Sequence, residues 1–381
     1  MRLPVRKSYV IGAALAALAL GAQAQAADPV VLKVYTSYDK TRTAVTPVLD
    51  DYFKQFEALN PGIKIEDLGA VPAEGKLVSM ISAGEAPDIV QVSMSNTIDF
   101  ARAGLLSPVP EDIAGAVQRD YFPIAVQGVT YQGRLIGLPM ESMDTALLYN
   151  RDLLDAAGVG DVPTNWSDFA ALGRKISQYD PSGKLVQPAV ITYPPGWSLA
   201  YMYLSLLKAE GGQLLDGSGK LTLDAPPSYQ ALRDLTDALA PGSPYMKLDW
   251  SAFWDGKAPF ALDFPWSWQN LKTKTFKYAS TLIPAGSAGF GSSYYNHAWI
   301  VFAGSKHPVE SWKLLRWLAL QKVTNGTTPL GHISSLIGSL PMSRSDINSV
   351  YFKDQSAFLD GFLKAMPYAT PDAEYMKAGA A

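Results

Sequence analysis

Residues 133–158 read GRLIGLPMESMDTALLYNRDLLDAAG, and the order of apolar runs, proline and acids in this stretch decides the fold. Two short apolar runs, 135–138 and 145–149, flank Pro139 and a polar patch of Glu141, Ser142 and Asp144. Proline has no N–H to give to a sheet ladder, so the first strand is expected to end at Pro139. Asn150 suits the N-cap of a short helix over 151–157, and Gly158 suits its C-terminal stop. A strand that stops, passes acids and hydroxyls, and resumes as another strand describes a chain crossing between two lobes. Such a crossing places its polar groups in a cleft.

Upstream, 31–35 is an apolar run rich in β-branched residues, fit for a buried strand. Val48, Tyr52, Phe53, Phe56 and Leu59 recur at helical spacing, predicting a helix over 47–59 that Asn60-Pro61-Gly62 stops. Residues 63–65 alternate as a strand, 72–83 read as a helix ended by Gly84, and 88–92 as an interior strand. This alternation indicates an α/β unit with a mainly parallel sheet. Ligands of open α/β sheets sit at the carboxyl ends of strands, so the loops 36–40 and 93–96 are cleft candidates. They nominate Ser37, Tyr38, Ser93 and Met94. Downstream, 166–177, 198–209 and 227–239 are expected helices, with turns at 181–183 and 216–219, and 258–264 is an apolar strand.

The first 27 residues read as a secretory signal peptide: Arg2, Arg6 and Lys7, an apolar run over 10–20, then small residues around Ala24-Gln25-Ala26. That run is shorter than the ~20 residues a membrane-spanning helix needs. No Cys follows it, so export without a lipid anchor, into a periplasm, is expected. The absence of Cys from the whole chain also rules out thiolate chemistry and Cys-ligated metals. The roughly 355 residues that remain exceed what one core accommodates, so two lobes are expected. Arg2, Arg6 and Lys7 are three of the 32 basic residues and no acid precedes Asp28, which leaves 29 basic against 35 acidic residues, a formal charge of −6. That balance argues against nucleic acid or anionic lipid as partners.

GLPMES and LLYNRDLLDAAGV, followed by PTNWSDF, resemble the extracellular solute-binding proteins of ABC importers, in the sugar-binding group related to maltose-binding protein. PDIVQVS at 87–93, FALDFPWSW at 260–268 and AGSKHPVESWKLLRWL at 303–318 match in the same order along nearly the whole chain. The resemblance implies a two-lobe periplasmic-binding-protein fold of type II, with discontinuous lobes joined by a hinge of about three crossings near Pro139, Phe264 and Trp299. It assigns 28–140 plus 258–297 to an N-terminal lobe and 141–257 plus 298–381 to a C-terminal lobe. It returns the strand at 258–264, and a second at 281–284, to the first lobe, and sends 298–302 and the helix 308–320 to the second. Members usually continue into further C-terminal helices past the region resembling 367–381, so either the second lobe is trimmed or the sequence is incomplete. The resemblance also implies a carbohydrate ligand, transmembrane permease subunits as partners, a monomer, and neither a cofactor nor catalysis.

Six of the nine tryptophans fall within 197–299, the part expected to wind around the cleft. An aromatic ring packs against the apolar face of a sugar while acids and amides bind its hydroxyl edge. Trp266 and Trp268, just after a strand, and Trp197, at a helix start, are ligand candidates on that ground; Trp312 and Trp317 keep helical spacing and are assigned to packing. In the resembling family an aromatic at the position of Trp266 lines the sugar site. The region 294–297 corresponds there to a ligand-facing loop, nominating Tyr295 and Asn296, and a residue near Arg344 often reaches the cleft. Glu141 and Asp144 are expected to bind sugar hydroxyls. They also carry the enzyme alternative, since a glycosidase flanks its cleft with two carboxylates. A phosphate or polyamine cargo is a third reading; of cleft cations the sequence offers only Lys40, Arg42 and Arg344. The three histidines, 297, 307 and 332, have no metal-ligand spacing, so no metal site is expected.

Overall fold

A computed structural model describes residues 28–38, 41, 44–240 and 243–372; the expected signal peptide over 1–27 lies outside them, as do Lys40 and Arg42. Among the described residues the chain builds two large sheets, beside two two-stranded ribbons. The first takes β1 (Val30–Tyr35), β2 (Ile63–Gly69), β3 (Ile89–Ser93) and β4 (Leu138–Asp144). The second takes β5 (Ala146–Asn150), β6 (Val190–Thr192), β7 (Met246–Leu248), β8 (Phe260–Asp263) and β9 (Tyr278–Thr281). The chain then returns to the first sheet with β10 (Ser292–Val301) and β11 (Ala369–Pro371).

In the first sheet β1 lies between β2 and β3, parallel to both, and β10 runs antiparallel along β3. β10 also pairs with β4, antiparallel, and with β11, parallel. The second sheet has the order β7-β6-β8-β5-β9. β6, β7 and β8 are parallel, while β5 runs antiparallel to β8 and β9. Apolar side chains leave β5 on both faces: Ala146 and Leu148 join the larger core, Leu147 the smaller. A sheet covered on both faces reads as an unbroken apolar run, which is why 145–149 carries no alternation.

The crossing lies between β4 and β5, where only Thr145 separates the two sheets, so residues 141–144, expected in the second lobe, belong to the first sheet. Its internal geometry differs from expectation. Pro139 does not end a strand; β4 runs straight through it. β4 has a single sheet partner, β10, and the register slips between His297 and Ala298, opposite Glu141 and Pro139. An edge strand with a bulge is where a sheet tolerates proline. Asn150 caps as expected, its side chain accepting from Leu153 N at 3.1 Å, and Gly158 takes a φ of 68°.

Lobe membership after residue 258 is corrected. β8 and β9 belong to the second sheet, flanking β5, and not to the first lobe. The strand containing residues 298–301 lies inside the first sheet, with Trp299 fully buried there. The helix Pro308–Leu320 also packs on the first lobe, Trp317 meeting Tyr52 edge to face at 6.1 Å. A fully buried apolar strand fits either sheet, and only its hydrogen-bond partners decide between them. The second crossing therefore runs through 282–291, between β9 and β10, rather than at Phe264 or Trp299.

Candidate functional site

The site is built by the strand pair β4–β10. Glu141 stands directly opposite His297, and Met143 opposite Tyr295. Side chains two apart on a strand share a face, so all four point to one side. There they line a cavity of about 490 Å³ with Thr41, Ala44 and Val45 from the first lobe and Trp197, Trp266 and Gln269 from the second. Leu336 and Ile337, at the end of the helix Pro329–Ile337, complete the lining. Gly338 ends that helix at a φ of 72°, and a Cβ on it would lie 2.7 Å from the Trp266 backbone. Only glycine allows this approach of helix to turn.

One wall is polar. Glu141 Oε2 lies 2.8 Å from His297 Nδ1, and His297 Nε2 lies 2.5 Å from the Tyr295 hydroxyl. Burial, and then the Glu141 and Asp372 charges, push the Tyr295 phenol up, so it keeps its proton. The other wall is aromatic. Trp197, first residue of the helix Trp197–Ala209, is 53% exposed and meets the rings of Trp266 at 5.3 Å and Tyr295 at 5.7 Å. Trp266 stacks on Phe264 at 4.4 Å. Behind it, Trp266 Nε1 donates to the Tyr193 hydroxyl at 2.6 Å, and that hydroxyl donates to Asp263 Oδ1 at 2.5 Å. Burial pushes the Asp263 carboxyl up to about 6, against hydrogen bonds that lower it.

Of the residues nominated from sequence, Glu141, Trp197, Trp266 and Tyr295 stand on the cavity wall. The other eight do not. Asp144 and Asn296 sit one residue out of step, on the opposite face of the strand pair, fully buried. No other described residue hydrogen-bonds the Asp144 carboxyl, and burial pushes its pKa well up. Trp268 turns away to pack on Phe358 at 5.5 Å. Met94 is a core residue with no exposure. Tyr38 is buried with its hydroxyl on Met140, Ser37 donates to the Gln91 carbonyl, and Ser93 donates to Asn96. Arg344 lies over the Phe122 ring and donates to the Tyr121 carbonyl at 3.0 Å.

Sequence reasoning missed His297, Met143, Gln269, Thr41, Ala44, Val45, Leu336 and Ile337. For His297 and Met143 the signal existed. Once 138–144 and 292–301 are taken as paired strands, period two groups 141 with 143 and 295 with 297. Gln269 and Leu336 meet through a side-chain to carbonyl hydrogen bond that no local pattern announces.

The chain's sequence matches the model of the bacterial extracellular solute-binding proteins over residues 40–324. It belongs to that family. Among relatives, a binding protein of Brucella abortus (strain 2308) is 27% identical over 371 residues, spanning 93% of this chain and 86% of its own. The maltotriose-binding protein of Pyrococcus abyssi is 23% identical over 353 residues, covering 90% of this chain and 70% of its own. The sugar-binding protein MalE of Xanthomonas citri superposes with a TM-score of 0.74 at 20% identity, covering 90% of this chain and 86% of that one. The two-lobe fold of this solute-binding protein is therefore that of the MalE-like structures. Among its described residues no group of three His, Cys, Asp or Glu could hold a metal, and no helix is long and apolar enough to cross a membrane.

Proposed function

We propose that this is the periplasmic substrate-binding protein of a carbohydrate ABC importer, trapping a mono- or oligosaccharide by lobe closure and presenting it to membrane permease subunits. One observation carries the reading: in a single cavity, contributed by both lobes, an indole wall adjoins a carboxylate–imidazole–phenol chain. The ring faces suit the C–H face of a sugar, and the polar chain suits its hydroxyl edge. A guest touching both lobes stabilises the closed arrangement over the open one, which couples capture to delivery. Relatives named for maltotriose and for sugar binding support the same ligand class.

Titration calorimetry with glucose, maltose and maltotriose tests this reading. The expected outcome is saturable binding of at least one neutral sugar near micromolar, about −8 kcal/mol. Binding of a phosphate ester or polyamine, with no response to any neutral sugar, would falsify it. The glycosidase alternative loses its carboxylate pair, because Asp144 is buried on the far face from Glu141. New reducing ends released from maltotriose by the pure protein would restore it.

A further inference from the structure

We propose that His297 is the residue that decides which hydrogen-bonding groups the cavity accepts, by fixing where the protons of the Glu141–His297–Tyr295 chain reside. This rests on the sugar-binding reading and concerns the polar half of the same cavity. The imidazole is engaged at both nitrogens: Nδ1 lies 2.8 Å from Glu141 Oε2, and Nε2 lies 2.5 Å from Tyr295 Oη. An ionised carboxylate only accepts, so a neutral His297 must carry its proton on Nδ1. Nε2 then has only a lone pair to offer, and the Tyr295 hydroxyl must donate to it. The phenol's single proton is thereby committed inward. What remains for the guest is acceptor capacity: the free lone pairs of Tyr295 Oη and the second oxygen of Glu141. The cavity in this state reads hydroxyl donors.

Protonation of the ring reverses one of these groups. His297 then donates from both nitrogens, Tyr295 Oη accepts from Nε2, and the phenol proton is released to point at the guest. A guest held by donating to Tyr295 loses that bond and meets a donor instead. The titratable or charged groups around the pair, among the described residues, are Glu141 on β4, Tyr201 on the helix 197–209, whose ring is 5.8 Å from that of Tyr295, and Asp372, whose charge acts on Tyr295. On the other side of His297 its β3 partner is Ser93, which carries no charge. Glu141 is the one in direct contact with the ring, so it sets the tautomer.

Two measurements test the proposal. The first needs no guest: 15N spectra of histidine-labelled protein over a pH series, which report where the ring is neutral and which nitrogen then holds its proton. His297 is assigned by loss of its signals in His297→Gln. The proposal expects a proton on Nδ1, and a mixed population once Glu141→Gln removes the charged acceptor. A proton on Nε2 in the unsubstituted protein overturns it. The second is titration calorimetry with maltotriose at two pH values, one where these spectra show His297 neutral and a lower one where they show it protonated. Affinity is expected to weaken about tenfold at the lower pH, the worth of one hydrogen bond to a good partner, and to become flat in Tyr295→Phe. An equal pH response in the unsubstituted protein and in Tyr295→Phe overturns it. Failure of maltotriose to bind at both pH values overturns the choice of sugar instead, and the imidazole spectrum then decides the proton arrangement alone.

Discussion

The two walls of the cavity are made the same way and pay different costs. Each is a three-member chain ending in a carboxylate: Asp263–Tyr193–Trp266 behind the aromatic wall, Glu141–His297–Tyr295 along the polar one. They differ in burial. Asp263 is 1% exposed, whereas Glu141 lines the cavity. Burial of a carboxylate raises its pKa, and the Asp263 carboxyl is pushed up to about 6. An anchor of this kind holds an indole in place at the expense of folding stability when the acid ionises. A carboxylate on the cavity wall remains available to a guest. Rigid ring and adaptable proton chain thus adjoin in one cavity, with Tyr295 packed on Trp197.

The largest expected effect separates the two anchors by pH. A carboxyl whose folded pKa lies above its unfolded value binds its proton more tightly when folded, so its contribution to stability falls as pH rises between the two values. For Asp263 that window runs from 3.8 to about 6, and the ionised acid costs about 3 kcal/mol above it. Urea unfolding followed from about pH 4 to about pH 7 is expected to show this loss, and Asp263→Asn is expected to flatten the curve by that amount. Parallel curves for the two proteins would show that the aromatic anchor carries no such cost.

Next in size is the contrast between two tryptophans that the sequence places two residues apart. Trp266 stands on the cavity wall, and Trp268 packs on Phe358. Trp266→Ala is expected to weaken maltotriose binding by about 2 kcal/mol, roughly thirtyfold, as truncation of a central aromatic contact does. Trp268→Ala is expected to lower the unfolding midpoint while leaving affinity within about twofold. Equal losses of affinity would mean that the wall extends further toward Phe358 than the cavity lining shows.

Between these tryptophans lies the limit of what the sequence discloses. Strand and helix positions follow from apolar spacing and capping, as Asn150 and the helix 46–59 illustrate, because those signals are local. Sheet membership does not: β8 is apolar on both faces and would serve either lobe, and the pairing of β8 and β9 with β5 is a contact across more than a hundred residues. The site divides along the same line. Glu141 and Tyr295 were legible as polar or aromatic groups at a crossing. Read as a link between strands, the crossing puts Asp144 beside Glu141 in the cleft, and the resemblance adds Asn296 as part of a ligand-facing loop. Seen as paired strands, the same residues obey a period of two, which sends 141, 143, 295 and 297 to the cavity and 142, 144, 294 and 296 into the interior. The proline that suggested a break sits at an edge-strand bulge, where it breaks nothing.

The smallest effect tests whether the two walls are mechanically joined. Thr145, the one residue between β4 and β5, has its hydroxyl 2.6 Å from Ser205 Oγ and 3.0 Å from Ser292 Oγ. Ser205 lies on the helix that begins with Trp197, and Ser292 begins the strand that carries Tyr295 and His297. Ser205 also contacts Ser293 Oγ at 3.1 Å, and both of these serines donate to the Tyr201 carbonyl. A buried hydroxyl cluster therefore links the helix of the aromatic wall to the strand of the polar wall at the point where the chain changes lobes. Thr145→Val keeps the volume and removes the shared hydroxyl, leaving Ser205 and Ser292 each short of a partner. The expected cost is about 1 kcal/mol in urea unfolding. If the cluster also sets the spacing of the walls, maltotriose affinity falls by a comparable factor, although Thr145 does not line the cavity. A stability loss with unchanged affinity would make the hydroxyls ordinary core bonds and leave the walls mechanically independent.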